Sequence, residues 1–177
     1  RYKDFFIENM KLPFIISLIL IGLSYYNYLL YHTLVEFISI AVGVALFSVI
    51  FLFKIKFDNS FLPFIAIGYF YVSMIDLIHT LAYKGMSILP IAGQSANLAT
   101  QLWIEARFLQ ALILIIAVSL LNQKISNKKL LAGLGVLFVV TTLFILSGYS
   151  PDAYIDAYGL TTFKIVMEYI IVLMLCF

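Results

Sequence analysis

The segment FLPFIAIGYFYVSMIDLIHTLAY, residues 61–83, is apolar for most of its length and carries an aspartate and a histidine near its end. A helix that crosses a bilayer needs about 20 mostly apolar residues, so this segment predicts a membrane-spanning helix. A charge inside a bilayer costs about 2.5–3.5 kcal/mol on insertion scales. Asp76 and His79 are therefore expected to pair, to line a cavity or to carry function.

Similar apolar stretches occur along the whole chain and predict five spanning helices and the start of a sixth. The stretches are Leu12–Tyr31, Leu34–Phe53, Phe61–Tyr83, Leu102–Leu121, Leu130–Leu146 and one that begins near Thr162. They are expected to be helices, because an open sheet would leave backbone groups unsatisfied in lipid. The predicted fold is an all-α integral membrane bundle of about six transmembrane helices, the last one truncated. Residues 1–177 are expected to form a single domain that is a fragment of a longer chain.

The composition supports the membrane class and excludes several others. Hydrophobic residues make up 64% of the chain and charged residues 11%, whereas soluble domains carry about 25% charged residues. The net charge of +2 and the lack of a basic run, a zinc-type Cys/His spacing or a Gly-rich phosphate loop argue against nucleic-acid binding. The single cysteine, Cys176, excludes an internal disulfide framework. Without a nucleophile elbow, a triad or a thiolate site, this part of the chain is not expected to be an enzyme.

Lysine and arginine in the short links predict the orientation. On one side lie Arg1, Lys3, Lys11, Lys54, Lys56, Lys124, Lys128 and Lys129. The other side has Lys84, Lys164 and the acids Asp152 and Asp156. The N-terminus is therefore predicted to be cytoplasmic, in a multi-pass protein of a prokaryotic plasma membrane. The outer links are residues 31–33, 84–101 and 147–160, and the two longer ones, with Pro90, Gly93 and Pro151, suit a lid or a ligand entrance.

The ionisable residues inside the apolar stretches lie near the predicted outer end. They are His32, Glu36, Asp76, His79, Glu105, Arg107, Lys164 and Glu168. His32 and Glu36, and likewise Lys164 and Glu168, are four residues apart and so share a helix face. This pattern predicts one polar site in the outer half of the bundle. Glu105 is equally well explained as a carboxylate in contact with water.

Several interpretations of the histidine–carboxylate group remain open. The first is a buried network that fixes helix packing, with Arg107 bridging Glu36 and Asp76. The second is a metal site for Zn, Mn or Fe on His32, Glu36, Asp76 and His79. The third is a bis-histidine haem, although carboxylates beside the histidines make a poor apolar slot. The same groups also suit a small organic ligand or a proton.

Four segments resemble one family of membrane sensors. They are HTLVEFISI (32–40), DLIHTLAYKGM (76–86), NLATQLWIEARFL (97–109) and GLTTFKIVMEYII (159–171). They resemble the membrane-associated sensor domain of type 3 (MASE3), a multi-helix module that precedes cytoplasmic signalling domains in bacterial and archaeal sensor histidine kinases and cyclic-di-GMP turnover proteins. The residues that match are His32, Glu36, Asp76, His79, Trp103, Arg107, Lys164 and Glu168. Gln110, where the family favours an acid, and Thr162, where it often has proline, depart from the pattern.

The resemblance implies a sensory input module. A small ligand, ion or proton is expected to reach the polar pocket from the outer side and to act through the sixth helix on a cytoplasmic kinase or cyclic-di-GMP domain. Such an output implies a homodimer. Trp103 is alternatively an interface anchor. A transporter is the main alternative, but the inner helix halves carry no ionisable residue, and neither broken helices nor an internal repeat is visible.

Overall fold

A computed structural model of the chain describes residues 2–53, 55–86, 88 and 96–176, with side chains described from residue 10 onward. Its elements are α1 (Tyr2–Tyr26), α2 (Tyr28–Leu52), α3 (Phe61–Ala82), α4 (Ala96–Ser119), α5 (Asn127–Leu146), β1 (Tyr154–Ile155), β2 (Gly159–Leu160) and α6 (Thr162–Leu175). The fold is predominantly helical, as expected for an all-α membrane domain. Part of the predicted orientation and outer lid depends on Arg1, Lys54, Pro90 and Gly93, which lie outside the described residues.

Four of the described helices, α2, α3, α4 and α5, are long and apolar enough to cross a membrane. The part of α1 whose side chains are described, Met10–Tyr26, is a shorter apolar helix. Helix α6 has 14 residues. By length and composition, the four helices α2 to α5 are candidates to cross a membrane, which fits a membrane domain.

The chain forms two compact units, residues 1–38 and residues 39–177. In the first unit, α1 ends at Tyr26 and α2 begins at Tyr28. The side chain of Asn27 explains this boundary, since its Oδ1 accepts a hydrogen bond of 3.0 Å from the backbone N–H of Leu30 and so caps the start of α2. The predicted link at residues 31–33 is therefore wrong, and His32 lies inside α2.

The second unit is built on the packing of α3 against α4. Ile67 and Ile75 of α3 and Leu102 and Ile113 of α4 are fully buried in one apolar cluster. Helix α5 packs on both α3 and α4, and α6 packs on α4. Helix α4 therefore contacts every other helix that lies wholly within this unit, which makes it the element that can relate their charged residues.

Two close approaches hold the helices of this unit together. A Cβ atom at Gly68 would lie 2.6 Å from the side chain of Ile113, so the missing side chain allows α3 and α4 to approach. Between α3 and α5, the hydroxyl of Tyr71 donates to the carbonyl of Leu131 at 3.0 Å, and a Cβ at Gly135 would lie 2.6 Å from that hydroxyl. Small residues thus determine the spacing of the helix axes.

Ser60, before α3, ties together the two short links on the predicted cytoplasmic side. Its backbone N–H donates to the carbonyl of Gln123 at 2.8 Å, and its Oγ accepts from the N–H of Ile125 at 2.6 Å. Ser60 is 2% exposed, so these bonds form away from solvent and fix the start of α3 to the α4–α5 link.

The link between α5 and α6 contains a small antiparallel hairpin that the sequence pattern did not predict. Tyr154 pairs with Leu160, and Ile155 pairs with Gly159. Gly159 has a φ of +81°, a conformation that residues with a side chain rarely adopt. After the hairpin, the chain continues to Thr161. The Oγ1 of Thr161 accepts a hydrogen bond from the N–H of Lys164 at 3.3 Å and caps α6.

Candidate functional site

His32 and Glu36 lie on one face of α2, one helical turn apart. The distance from His32 Nε2 to Glu36 Oε1 is 3.9 Å, and the two side chains are 13% and 15% exposed. The ring of Tyr28, one turn earlier, lies 6.2 Å from that of His32. The helix therefore brings together the imidazole and the carboxylate that were predicted from their spacing of four.

Asp76 is the most deeply buried acid of the second unit, and its partner is on the neighbouring helix. Both of its carboxylate oxygens accept hydrogen bonds from Nη2 of Arg107, at 2.6 Å for Oδ1. The side chain of Asp76 is 2% exposed and that of Arg107 is 24% exposed. The pair neutralises a charge that would otherwise be costly inside a membrane helix. An arginine on both oxygens also disfavours Asp76 as a metal ligand.

Arg107 extends this ion pair into a short polar network. Its Nη1 donates to Oε1 of Gln110 at 2.7 Å, and Nε2 of Gln110 donates to the hydroxyl of Tyr69 at 3.2 Å. Gln110 therefore supplies a neutral acceptor for Nη1 of Arg107. This network connects α3 and α4 twice, at Tyr69 and at Asp76.

His79 lies on α3, three residues after Asp76, and is 4% exposed. Its Nδ1 lies 2.7 Å from the carbonyl oxygen of Ala99. Because a carbonyl can only accept, Nδ1 carries the hydrogen, and in the neutral ring Nε2 is the acceptor atom. A backbone carbonyl on one ring nitrogen is the arrangement that orients metal-bound histidines, and it also serves a purely structural histidine.

Trp103, Lys164 and Glu168 form a second charged group, between α4 and α6. The Nζ of Lys164 lies 2.5 Å from Oε1 of Glu168 and 5.4 Å from the centre of the Trp103 ring. The side chains of Lys164 and Glu168 are 13% and 38% exposed. The ammonium is thus held by a carboxylate and by the face of an indole, a geometry in which cation–π attraction contributes.

Glu105 points to α5 instead of to solvent. Its Oε1 accepts from the hydroxyls of Thr141 and Thr142, at 3.0 Å for Thr142. Its Oε2 is buried and has no hydrogen-bond partner among the described residues. The interpretation of Glu105 as a carboxylate in contact with water is therefore wrong. The sequence alone gave no signal of this contact, because it does not show which helix faces Glu105.

Two polar residues at the start of α4 hold the hairpin. Oδ1 of Asn97 accepts from the N–H groups of Ala153 and Tyr154 at 2.7 and 3.0 Å, and its Nδ2 donates to Asp152 at 2.7 Å. Gln101 donates to the carbonyl of Pro151 at 2.7 Å. The beginning of the NLATQLW segment therefore fixes the α5–α6 link, a role that sequence reasoning missed.

The charged residues of the second unit form separate groups. Asp76 and Arg107 make one pair, Lys164 and Glu168 another, and Glu105 bonds to threonines. No hydrogen bond or ion pair joins the first pair to the second among the described residues. Each group connects α4 to a different helix, so α4 has polar or cation–π contacts with α3, α5 and α6.

These features define a class: an α-helical membrane domain with charged groups between its helices. The sequence matches the family described as membrane-associated sensor domain (MASE3) over residues 23–177. The chain therefore belongs to this family of sensor domains, and it has a sensory role. No curated protein matches the chain, and neither does any solved structure.

Proposed function

We propose that residues 1–177 act as one transmembrane input domain that detects a stimulus at the outer side and transmits it through α6 to a cytoplasmic output domain. In this proposal the chain has six spans, its N-terminus is cytoplasmic, and it lies in the plasma membrane of a prokaryote. The output is a histidine kinase or a cyclic-di-GMP turnover domain, and the protein is a homodimer through that domain. In the second unit, the proposed sensor residues are Asp76, His79, Trp103, Arg107, Lys164 and Glu168.

The observation that carries the proposal is the contact of α6 with α4. Lys164 and Glu168 are the two charged residues of α6, and Lys164 lies against Trp103 of α4. A ligand, ion or proton that changes either charge alters this contact. Charges in a low-dielectric site interact strongly, so the change is large enough to bias two arrangements of α6, provided that the stimulus favours one of them.

The orientation rests on the basic link between α4 and α5. Lys124, Lys128 and Lys129 lie in or beside this link, and such clusters are retained on the cytoplasmic side. Lys164 and Glu168 lie toward the other end of the molecule, near the hairpin. With Cys176 replaced by serine, labelling of single cysteines introduced at residues 128 and 158 in intact cells tests the assignment. Labelling of residue 128 from outside contradicts it.

The functional test replaces Lys164 by alanine in the full-length protein. We expect the activity of the output domain to change about fivefold or more, the lower range of allosteric coupling, because the α6 charge pair is broken. Lys129→Ala, an exposed lysine of α5, is the matched control and is expected to leave output unchanged. A Lys164→Ala protein that inserts normally and signals like the wild type contradicts the proposal.

A metal ion is the second candidate stimulus, and the contact between His79 and Ala99 favours it. With Nδ1 held by the carbonyl, Nε2 is presented as the ligand atom. Elemental analysis of the purified protein and of His79→Ala tests this: a stoichiometric metal lost in the variant supports a metal site, and no metal after loading with Zn, Mn and Fe excludes it.

A further inference from the structure

A cavity of about 340 Å³ lies between α4 and α6, beside the Lys164–Glu168 pair. It is lined by Trp103, Ile165, Glu168, Tyr169, Ile171 and Val172. Pockets for small molecules start at about 300 Å³, so this one suits a small ligand. Its walls are two aromatic rings and three aliphatic side chains, and Glu168 supplies its charged group.

The chemistry of these walls selects the charge of the ligand. The Glu168 carboxylate repels anions and attracts cations, and the indole of Trp103 binds cations on its face. The aliphatic side chains offer no hydrogen bonds and favour an alkyl group. A carboxylate next to an aromatic face and an alkyl surface is a combination that recognises an alkylammonium ion.

The protein already places an ammonium between these two groups. The Nζ of Lys164 lies 2.5 Å from Glu168 Oε1 and 5.4 Å from the Trp103 ring centre. Lys164 is the third residue of α6, and a cation in the first turn of a helix is disfavoured by the helix dipole. Its position is thus stabilised by Glu168 and Trp103, and an ammonium ion from outside can compete for the same two groups.

We propose that this cavity binds an alkylammonium group, which competes with Lys164 for Glu168 and Trp103. The proposal rests on the sensory role of the domain and deepens it by naming the chemistry of the stimulus. The source is a free amine or quaternary ammonium ion, or the amine headgroup of a neighbouring lipid. Because Lys164 lies near the start of α6, its displaced ammonium can extend to the membrane interface. Glu168, one turn deeper, then binds the ligand.

The test uses the single tryptophan of the chain. The 177-residue chain is placed in nanodiscs of phosphatidylglycerol, which has no amine, and its fluorescence is titrated with tetramethylammonium or butylammonium chloride. Because Trp103 lies in the cavity wall, we expect a saturable change that equal concentrations of sodium chloride do not produce. A response no different from that to sodium chloride overturns the proposal.

Two variants are expected to change the affinity in opposite directions. Glu168→Gln removes the carboxylate with little change of shape and is expected to weaken binding about tenfold or more. Lys164→Met removes the competing ammonium and is expected to tighten binding about fivefold to tenfold. Unchanged affinity in a folded Glu168→Gln protein overturns the proposal, as does weaker binding in Lys164→Met, which decides the matter even if the first variant does not fold.

A second set of nanodiscs, containing phosphatidylethanolamine, identifies the source of the ammonium group. Competition of this lipid with the added ion assigns the site to the headgroup, and equal titrations in both membranes assign it to a free ammonium ion. A result that excludes ammonium binding is distinct from a result that excludes the sensory role. If no ammonium binds but Lys164→Ala still alters output, only the ligand chemistry is wrong.

Discussion

Replacing Arg107 by methionine leaves the Asp76 carboxylate buried without its counter-charge. Nη2 of Arg107 is bonded to both oxygens of Asp76, and the Asp76 side chain is 2% exposed, so water cannot replace the arginine. Methionine retains much of the length of the arginine stem, so the effect of the substitution is dominated by the lost charge and hydrogen bonds.

The expected loss of stability is about 3–5 kcal/mol, the usual result of removing one partner from a buried ion pair. For a protein of this size, 1 kcal/mol shifts the melting temperature by about 2–4 °C. The melting temperature of Arg107→Met is therefore expected to fall by about 6–20 °C. The partial exposure of Arg107, 24% of its side chain, favours the lower half of this range.

The assay is thermal unfolding in nanodiscs, followed by circular dichroism. The control is Lys84→Met, which breaks a pair between Lys84 and Asp156 with side chains 68% and 77% exposed. Exposed pairs contribute about 0–1 kcal/mol, so this variant is expected to melt within about 4 °C of the wild type. Equal shifts in the two variants refute the reasoning.

A double variant separates the ion pair from the packing of the arginine stem. Adding Asp76→Asn to Arg107→Met removes the orphaned charge, so the double variant is expected to be more stable than Arg107→Met alone. A double variant that loses the sum of the two single effects shows that the charges do not interact in the folded protein.

Three further experiments test other contacts. Glu105→Gln keeps an acceptor for the two threonine hydroxyls and removes a buried charge. The new amide N–H groups also lack an acceptor, so unfolding is expected to require only up to about 1 kcal/mol more free energy; a loss of stability contradicts this. Asn97→Ala removes three hydrogen bonds to the hairpin link and is expected to raise its hydrogen–deuterium exchange about tenfold or more; unchanged protection contradicts the clamp. Gly68→Ala places a Cβ 2.6 Å from the Ile113 side chain and is expected to destabilise the protein by about 1–3 kcal/mol. The control is Gly133→Ala, whose Cβ would have no atom within 4 Å, and it is expected to stabilise the protein by up to about 1 kcal/mol. Equal melting temperatures for the two variants contradict the proposed packing.

Hydropathy predicts the ends of a helix correctly where the helix is apolar along its whole length. The third stretch was predicted at residues 61–83 and forms α3 at Phe61–Ala82. Hydropathy failed at the start of α4, predicted at Leu102 and found at Ala96. Asn97 and Gln101 are polar and were excluded from the stretch, yet their side chains bond the hairpin link while their backbones remain helical.

Contacts within one helix follow from residue spacing, whereas the sequence offered the contact of Arg107 with Asp76 only as one of several alternatives. The spacing of four placed Lys164 beside Glu168, as the structure shows, because helix geometry alone determines that distance. The bonds of Arg107 to Asp76 and of Glu105 to its threonines depend on how the helices are rotated about their axes. That rotation is determined by packing such as the Gly68 contact, which a single sequence does not display.

The most direct test of the account is a charge exchange on α6 in the full-length protein. Lys164→Glu and Glu168→Lys each place two like charges one turn apart, and each is expected to shift the activity of the output domain about fivefold or more. The protein with both substitutions carries glutamate four residues before lysine, the more favourable order in a helix, but has no ammonium against Trp103. Its output is therefore expected to lie between that of the wild type and those of the single variants. Single substitutions that leave output unchanged, or a double substitution that sums their effects, contradict the claim that this pair transmits the signal.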